Sequence, residues 1–412
     1  MMAYLRKKEI AFGLERLSLY FYFVLVTIAL STTTIAHYDL NVAIRGYVAI
    51  LFSLVLLARV FLSPTLSRAF IVAALIFTLI YCYALVLSYV NGSFYIESGY
   101  VLINYILTVV GLFCLLPMFL RGKFGDEQVL SIYFFVALLF IVISGGLRLN
   151  GFFPVFIFEQ GDENKSVLYS QGVSRFFGYT AIFALSVLLA RLSEDRLRLW
   201  RVVVVLLVFL MSLLFSAAGG ARGDFLFAFF LTISVLFGKF RHGWKILIFV
   251  VLVSWLLYSE IAVVDDFVIA NRIFAIIEGD LGGRDTLLSN GLNLVLEEPA
   301  CLIVGCGFGF YQHYWSFPYA LYPHNSLLES VVLFGLPLTL IFLVVVFLGY
   351  RKYIRQFGVG NIHSLLFLYL FFVSLKSGSL FSNWLLISYM LCFGTLCFLR
   401  IRGGLRNPPL TE

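Results

Sequence analysis

Residues 326–350 read SLLESVVLFGLPLTLIFLVVVFLGY, a run whose one charged residue, Glu329, stands near its start. A helix rises 1.5 Å per residue, and about 20 apolar residues cross the roughly 30 Å hydrocarbon core of a bilayer. Similar runs recur, among them AFIVAALIFTLIYCYALVLSY at 69–89 and RVVVVLLVFLMSLLFSA at 201–217. The 412 residues are 62% hydrophobic and 12% charged, where soluble domains carry about 25% charged residues. The chain therefore reads as an all-α polytopic membrane protein, one integral domain over 1–412. The runs predict spans near 18–36, 46–62, 69–89, 99–120, 129–146, 178–190, 201–217, 225–238, 246–264, 326–350, 364–380 and 383–400, which makes twelve. Within 326–350, Pro337 is expected to kink the helix.

The net charge of +7 invites a nucleic-acid partner, but the charges are distributed by topology. With both termini in the cytoplasm, the outer segments hold only Arg45, Arg148, Lys165, Arg175, Arg222, Arg272, Arg284 and Lys376 of the 29 Lys and Arg. That is the positive-inside pattern, and it argues against nucleic acid. The start, MMAYLRKKEIAFGLERLS, is basic without a short apolar stretch and small-residue cleavage site, so it reads as a retained cytoplasmic tail. Two outer segments are long, 147–177 and, between the ninth and tenth spans, 265–325. Their Phe, Tyr and Gly content predicts ordered loops. Cys301 and Cys306 share the second loop and could pair. The cysteines have no zinc-type spacing.

Three outer stretches stand apart from the lipid-facing background. In FSAAGGARGDFLFAFF (215–230), Arg222 sits in a small-residue turn close to the hydrocarbon. A charge there needs a partner or an anionic ligand, or it snorkels to the interface. In IEGDLGGRDTLLSNGLNLVLEEP (277–299), Gly282–Gly283–Arg284–Asp285 reads as a turn into an interfacial helix that ends before Pro299, with Asp285 in its first turn. Arg284 is there either for a ligand or for an ion pair with Asp285 or Asp280. In VGCGFGFYQHYWSFPYALYPHN (304–325), G-x-G-x-G lacks the context of a nucleotide fingerprint and reads as a turn bringing backbone close to a neighbour. The aromatic residues from Phe308 to Tyr322 suit an interface belt or a surface for stacking sugars.

The third stretch leads into YPHNSLLE (322–329). Pro323 suits a first helical turn, which puts His324 and Asn325 at or near a helix N-terminus. The dipole there disfavours an imidazolium and favours bound anions such as phosphate. A neutral imidazole can serve as a general base. A histidine at a helix end is also a common capping or interface residue.

The succession ARGDFLF (221–227), GGRDTLL (282–288), EEPACLIVGCGFGFY (297–311) and YPHNSLLESVVLFGLP (322–337) resembles the O-antigen polymerase and O-antigen ligase superfamily. The matching region, about 215–340, includes the outer loop 265–325. Where family members often continue with a second glycine, this chain has FGLPLTL.

The resemblance implies a membrane glycosyltransferase of the GT-C-like class in the bacterial inner membrane. It would take its donor and acceptor as undecaprenyl-pyrophosphate-linked oligosaccharides, need no nucleotide or other cofactor, and act on the outer face. A flippase and a chain-length regulator are the implied protein partners. By the same resemblance, Arg222 and Arg284 neutralise the departing pyrophosphate and His324 takes the acceptor proton. Tyr322 and Asn325 position sugar hydroxyls or the histidine ring. Arg175 and Arg272 complete the substrate-binding candidates. Asp265–Asp266 makes a poor metal cage, and no metal is expected.

YPHNSLLE and the aromatic loops favour a polymerase. The alternative is a ligase that passes the glycan to lipid A-core. A lipid-linked oligosaccharide flippase fits less well, because ionisable residues gather in the outer loops and not at mid-span.

Overall fold

The computed structural model describes residues 64–94, 98–121, 147–150, 153–156, 170–191, 199–218, 221–239, 284–317, 321–376, 379–380 and 383–398, with isolated positions between 43 and 53. These are almost entirely helical. The long helices are α1 (Pro64–Val90), α2 (Ser98–Arg121), α3 (Ser170–Arg191), α4 (Leu199–Ala218) and α5 (Arg222–Lys239). After α6 (Arg284–Glu297) come the short α7 (Pro299–Ile303), α8 (Phe310–Tyr314) and α9 (Ser326–Phe334). The chain continues through α10 (Leu336–Phe357), α11 (Ile362–Lys376) and α12 (Trp384–Phe398). One antiparallel hairpin, β1 (Leu147–Asn150) with β2 (Phe153–Phe156), pairs Leu147 with Phe156 and Asn150 with Phe153.

Four of these helices are long and apolar enough to cross a membrane, over Ile71–Val90, Gln171–Ala190, Trp200–Ala217 and Leu336–Phe357. They mark a membrane protein. Lipid offers no hydrogen bonds to a backbone, so helices that satisfy their own N–H and C=O groups are the structure such runs must adopt. In α1, Leu75, Leu79, Val86 and Val90 lie exposed on the flank. By contrast, α3 is almost wholly buried over Gln171–Ala190. α3 packs against α4, α5 and α11.

The helices alternate in direction, as contacts at their ends show. At one end, Arg175 near the start of α3 pairs with Asp224 near the start of α5. Ser216 at the end of α4 donates to Ser174 O, and Asn325 before α9 donates to Leu375 O at the end of α11. At the other end, Lys352 donates to Leu396 O and Tyr353 to Asn361 Oδ1. Arg351, Lys352 and Arg355 belong to this second end.

Three details differ from the sequence reading. The expected span at 178–190 begins at Ser170, so Arg175 lies inside α3 and not in an outer loop. His324 precedes Asn325, the N-cap residue, and Pro323 lies outside the helix altogether. The run 326–350 is two helices: it breaks at Gly335, with φ 81° and ψ 158°, and Pro337 falls in the first turn of α10. Proline is tolerated there because its missing N–H would have had no intrahelical partner.

A broken helix in an apolar surrounding needs outside donors for its last carbonyls. Here Cys306 N–H donates to Val332 O at 2.6 Å and Gly307 N–H to Leu333 O at 3.2 Å. The loop supplying them is closed by a Cys301–Cys306 disulfide. It is anchored on α1 through Asn91 Nδ2 to Cys306 O, Tyr83 OH to Val304 O and Ser93 Oγ to Phe308 O. Gly305, Gly307 and Gly309 all have positive φ, so the G-x-G-x-G stretch is the close-approach turn its composition predicts. Gly335 is the joint on the other side, its backbone against Ile303 O. Only glycine occupies its φ/ψ region readily. Gly335→Ala is therefore expected to lower stability by about 3 kcal/mol, read as a fall in thermal midpoint in detergent. An unchanged midpoint would contradict this account of the break.

Of the expected spans, 18–36, 129–146 and 246–264 lie outside the described residues, and 46–62 mostly so.

Candidate active site

The start of α9 is built by Asn325. Its Oδ1 accepts from the N–H groups of Leu327 and Leu328, both at 3.0 Å. Asparagine caps a helix well because its short side chain reaches back to these two orphan donors. Its Nδ2 donates to Leu375 O at 3.1 Å, and Ser326 Oγ donates to Ser374 O at 3.0 Å. The cap thus ties α9 to the end of α11. Asn325 spends its amide on the backbone, and its position is a positioning one.

His324 comes just before this cap, with φ 55°. A non-glycine residue in the left-handed region is uncommon and costs about 1–2 kcal/mol. Its ring packs on Tyr322, centroids 4.4 Å apart and planes 30° apart. Both residues are half-buried. Such a conformation persists where its surroundings impose it, which is common at functional sites.

Arg175 completes the link to the arginine turn. Its Nε donates to Asp224 Oδ1 at 3.0 Å, in a pair whose side chains are 14% and 0% exposed. Its Nη1 reaches Asn383 Oδ1 at 3.5 Å. Its carbonyl accepts from Tyr369 OH, and its guanidinium interacts electrostatically with Tyr322. Asp224 and Asn383 each retain a buried polar atom, Oδ2 and Nδ2, with no hydrogen bond among the described residues. Functional sites commonly keep such groups.

Arg222 is the first residue of α5, two before Asp224. The helix start is pinned by Ala221 N–H to Ser174 Oγ at 2.9 Å. Arg284 is the first residue of α6, with Asp285 in the first turn and the helix ending before Pro299, as predicted. α6 lies on the histidine segment, Gly291 facing Pro323 and Leu328. The structure therefore brings Arg175, the Arg222 helix start, Tyr322, His324 and Asn325 to one end of the bundle. It lays the Arg284 helix beside them. Arg272, Asp265 and Asp266 lie outside the described residues.

Most of the aromatic loop serves packing. Phe308 is buried against Tyr81, with centroids 5.3 Å apart. Tyr311, Leu294, Val295 and Val332 form a small separate core that seats α6 over α9. Tyr311 OH donates to Leu287 O, and burial pushes its pKa up to about 12, which keeps the donor protonated. Tyr319 lies outside the described residues.

Four contributors escaped the sequence reading: Asp224, Glu329, Lys376 and Asn383. Glu329, buried in the first turn of α9, accepts from Ser379 Oγ at 2.6 Å and Leu380 N–H at 2.5 Å. It clamps the α11–α12 link to the histidine helix. Asp224 carried a legible signal, an acid among apolar residues and two positions from the chosen arginine. Lys376 and Asn383 become visible only through contacts across the bundle.

Below the cap, an apolar cleft runs between α1, α9, α10, α11 and α12. Its polar lining is Ser326, Ser330, Thr339 and Ser374, and its walls include Leu327, Phe334, Leu338 and Phe371. Compared with known families, curated proteins and solved structures, the chain matches none of them.

Proposed function

We propose that this protein is a GT-C-like glycosyltransferase with twelve spans and cytoplasmic termini. It would join undecaprenyl-pyrophosphate-linked oligosaccharides into surface polysaccharide on the outer face of the bacterial inner membrane. The observation that carries the reading is that the His324–Tyr322 ring pair and the Arg175–Asp224 pair at the start of α5 stand at the same end of the bundle. Nothing in the sequence order requires these elements to meet. They meet above an apolar cleft.

Two further facts support the orientation. Disulfides persist in oxidising compartments, and the Cys301–Cys306 loop lies at the histidine end. Arg351, Lys352 and Arg355 lie at the opposite end, where the positive-inside rule puts the cytoplasm.

In the proposed reaction the acceptor sugar's hydroxyl oxygen attacks the anomeric carbon of the donor glycan. The C–O bond to the lipid pyrophosphate breaks, and that group leaves with the bonding electron pair. His324 takes the hydroxyl proton. Arg222 and Arg284 stabilise the negative charge gathering on the leaving group, a role suited to guanidinium's planar fork of donors. Tyr322 holds the imidazole by its ring face, and Asn325 fixes the backbone that aims it.

The test is complementation of a polymerase-null strain of the same serotype, with membrane expression checked. The wild-type chain is expected to restore a lipopolysaccharide ladder, and Arg222→Ala to leave core plus one repeat unit. An Arg222→Ala ladder equal to wild type would remove Arg222 from the chemistry. If the strain lacking this chain accumulates lipid-linked polymer and no capped core, the protein is a ligase.

A further inference from the structure

We propose that α6 and α7 anchor the protein in the leaflet at the histidine end, with the exposed leucines of α6 immersed in lipid at the boundary of headgroups and acyl chains. The inference needs only a membrane protein and stands whether or not the chain transfers sugars.

α6 has three faces. On the first, Gly291 is buried against Pro323 and Leu328 of the histidine segment, and Leu294 and Val295 join the small core with Tyr311 and Val332. On the second, Leu288, Leu292 and Leu296 are 38%, 51% and 75% exposed. Residues four apart stack on one flank of a helix, so these three make a single apolar stripe. On the third, Thr286, Ser289, Asn293 and Glu297 are exposed as well, and the 3.6-residue repeat groups them on the next flank. A helix with water all round its outer side has no use for the leucine stripe. A helix with lipid all round it has no use for the polar flank. The three faces fit a helix lying along an interface, with protein beneath, lipid to one side and water above.

Where the stripe leads shows what covers it. From Leu296 the exposed surface continues through Pro299 and Ala300 to Ile303 and Val304 at the end of α7. Val304 O accepts from the hydroxyl of Tyr83, on the flank of α1 that also exposes Leu79, Val86 and Val90. The backbone of Gly335 lies against Ile303 and Val304, and beyond it α10 exposes Leu336, Leu340 and Val344. Both α1 and α10 are long and apolar enough to cross a membrane. Ile303 and Val304 therefore join two lipid-facing flanks, and the leucine stripe extends the same surface. Arg284 is the one cation of α6, whose ends also carry Asp285 and Glu297. The contact thus rests on apolar area and not on attraction to anionic headgroups. Because α6 sits on Pro323 and Leu328, its depth in the leaflet sets the depth of the histidine segment.

The full-length protein would carry a genetically encoded fluorescent amino acid in place of Leu292, Leu296 or Asn293, which leaves every cysteine untouched. Each variant would be placed in phosphatidylcholine nanodiscs, with thermal midpoints confirming the fold. Brominated acyl chains quench a probe in lipid, and iodide quenches one in water. The probe at 292 or 296 is expected to lose most of its fluorescence to brominated chains, from a depth of about 5–10 Å, and to be spared by iodide. The probe at 293 is expected to show the reverse. A probe at 292 that iodide quenches as fully as the one at 293 would put α6 in water and overturn the proposal. A probe at 292 reached by neither quencher would overturn it as well, and would show that a second copy or a segment of this chain covers the stripe.

Discussion

Arg175→Met and Asp224→Leu are each expected to destabilise the protein by about 3–5 kcal/mol, and the double variant by far less. The pair is inside the bundle, with Asp224 fully buried and Arg175 nearly so. Removing either partner strands a charge where water cannot solvate it. Removing both takes away the charge and its desolvation cost together. The double variant is nonetheless expected to be inactive, because Arg175 also holds the Asn383 link. Thermal midpoints in detergent and the lipopolysaccharide ladder would be read on the same three variants. Single variants that melt like wild type would show that the pair is not what holds α3 to α5. A double variant that restores the ladder would confine Arg175 to a structural role.

His324→Gly is expected to be about as stable as wild type and to lower the polymerisation rate by about 10²–10⁴-fold. The stability half follows from the backbone. Glycine adopts φ near 55° without the penalty of a Cβ, worth about 1 kcal/mol. The ring packing on Tyr322 is lost in exchange, so the two terms nearly offset. The activity half follows from the loss of the base. A purely structural histidine would give the opposite pattern, with activity tracking the melting curve.

Where the chain faces lipid, the helices are legible in sequence. α1 and α10 are continuous apolar runs because apolar residues cover even their exposed flanks. α3 was harder for the opposite reason. Its partners are other helices, so its first turns can carry Ser170, Gln171, Ser174 and Arg175, and a hydropathy reading cuts it short. The break at Gly335 is equally hidden: the donors that make it tolerable come from Cys306 and Gly307, about 30 residues upstream.

The candidate site divides along the same line. His324 and Arg222 stand out locally, as polar residues at the mouths of apolar helices. The helix of Arg284 is legible in its glycine turn and first-turn acid. What the sequence hides is the seam. Asp224 answers an arginine 49 positions earlier. Glu329 clamps a turn about 50 residues downstream, and Lys376 lies on a glycine on another helix. Those contacts depend on how α3, α5, α9 and α11 pack, which no local pattern encodes.

The most direct test is reconstitution. The purified chain would be placed in proteoliposomes with its serotype's undecaprenyl-pyrophosphate-linked repeat unit and no other protein. The account predicts lipid-linked products extended by whole repeat units, with undecaprenyl pyrophosphate released for each bond formed, and none of either with His324→Gly. Repeat units left unextended by folded wild-type protein, or extended equally by His324→Gly, would contradict it.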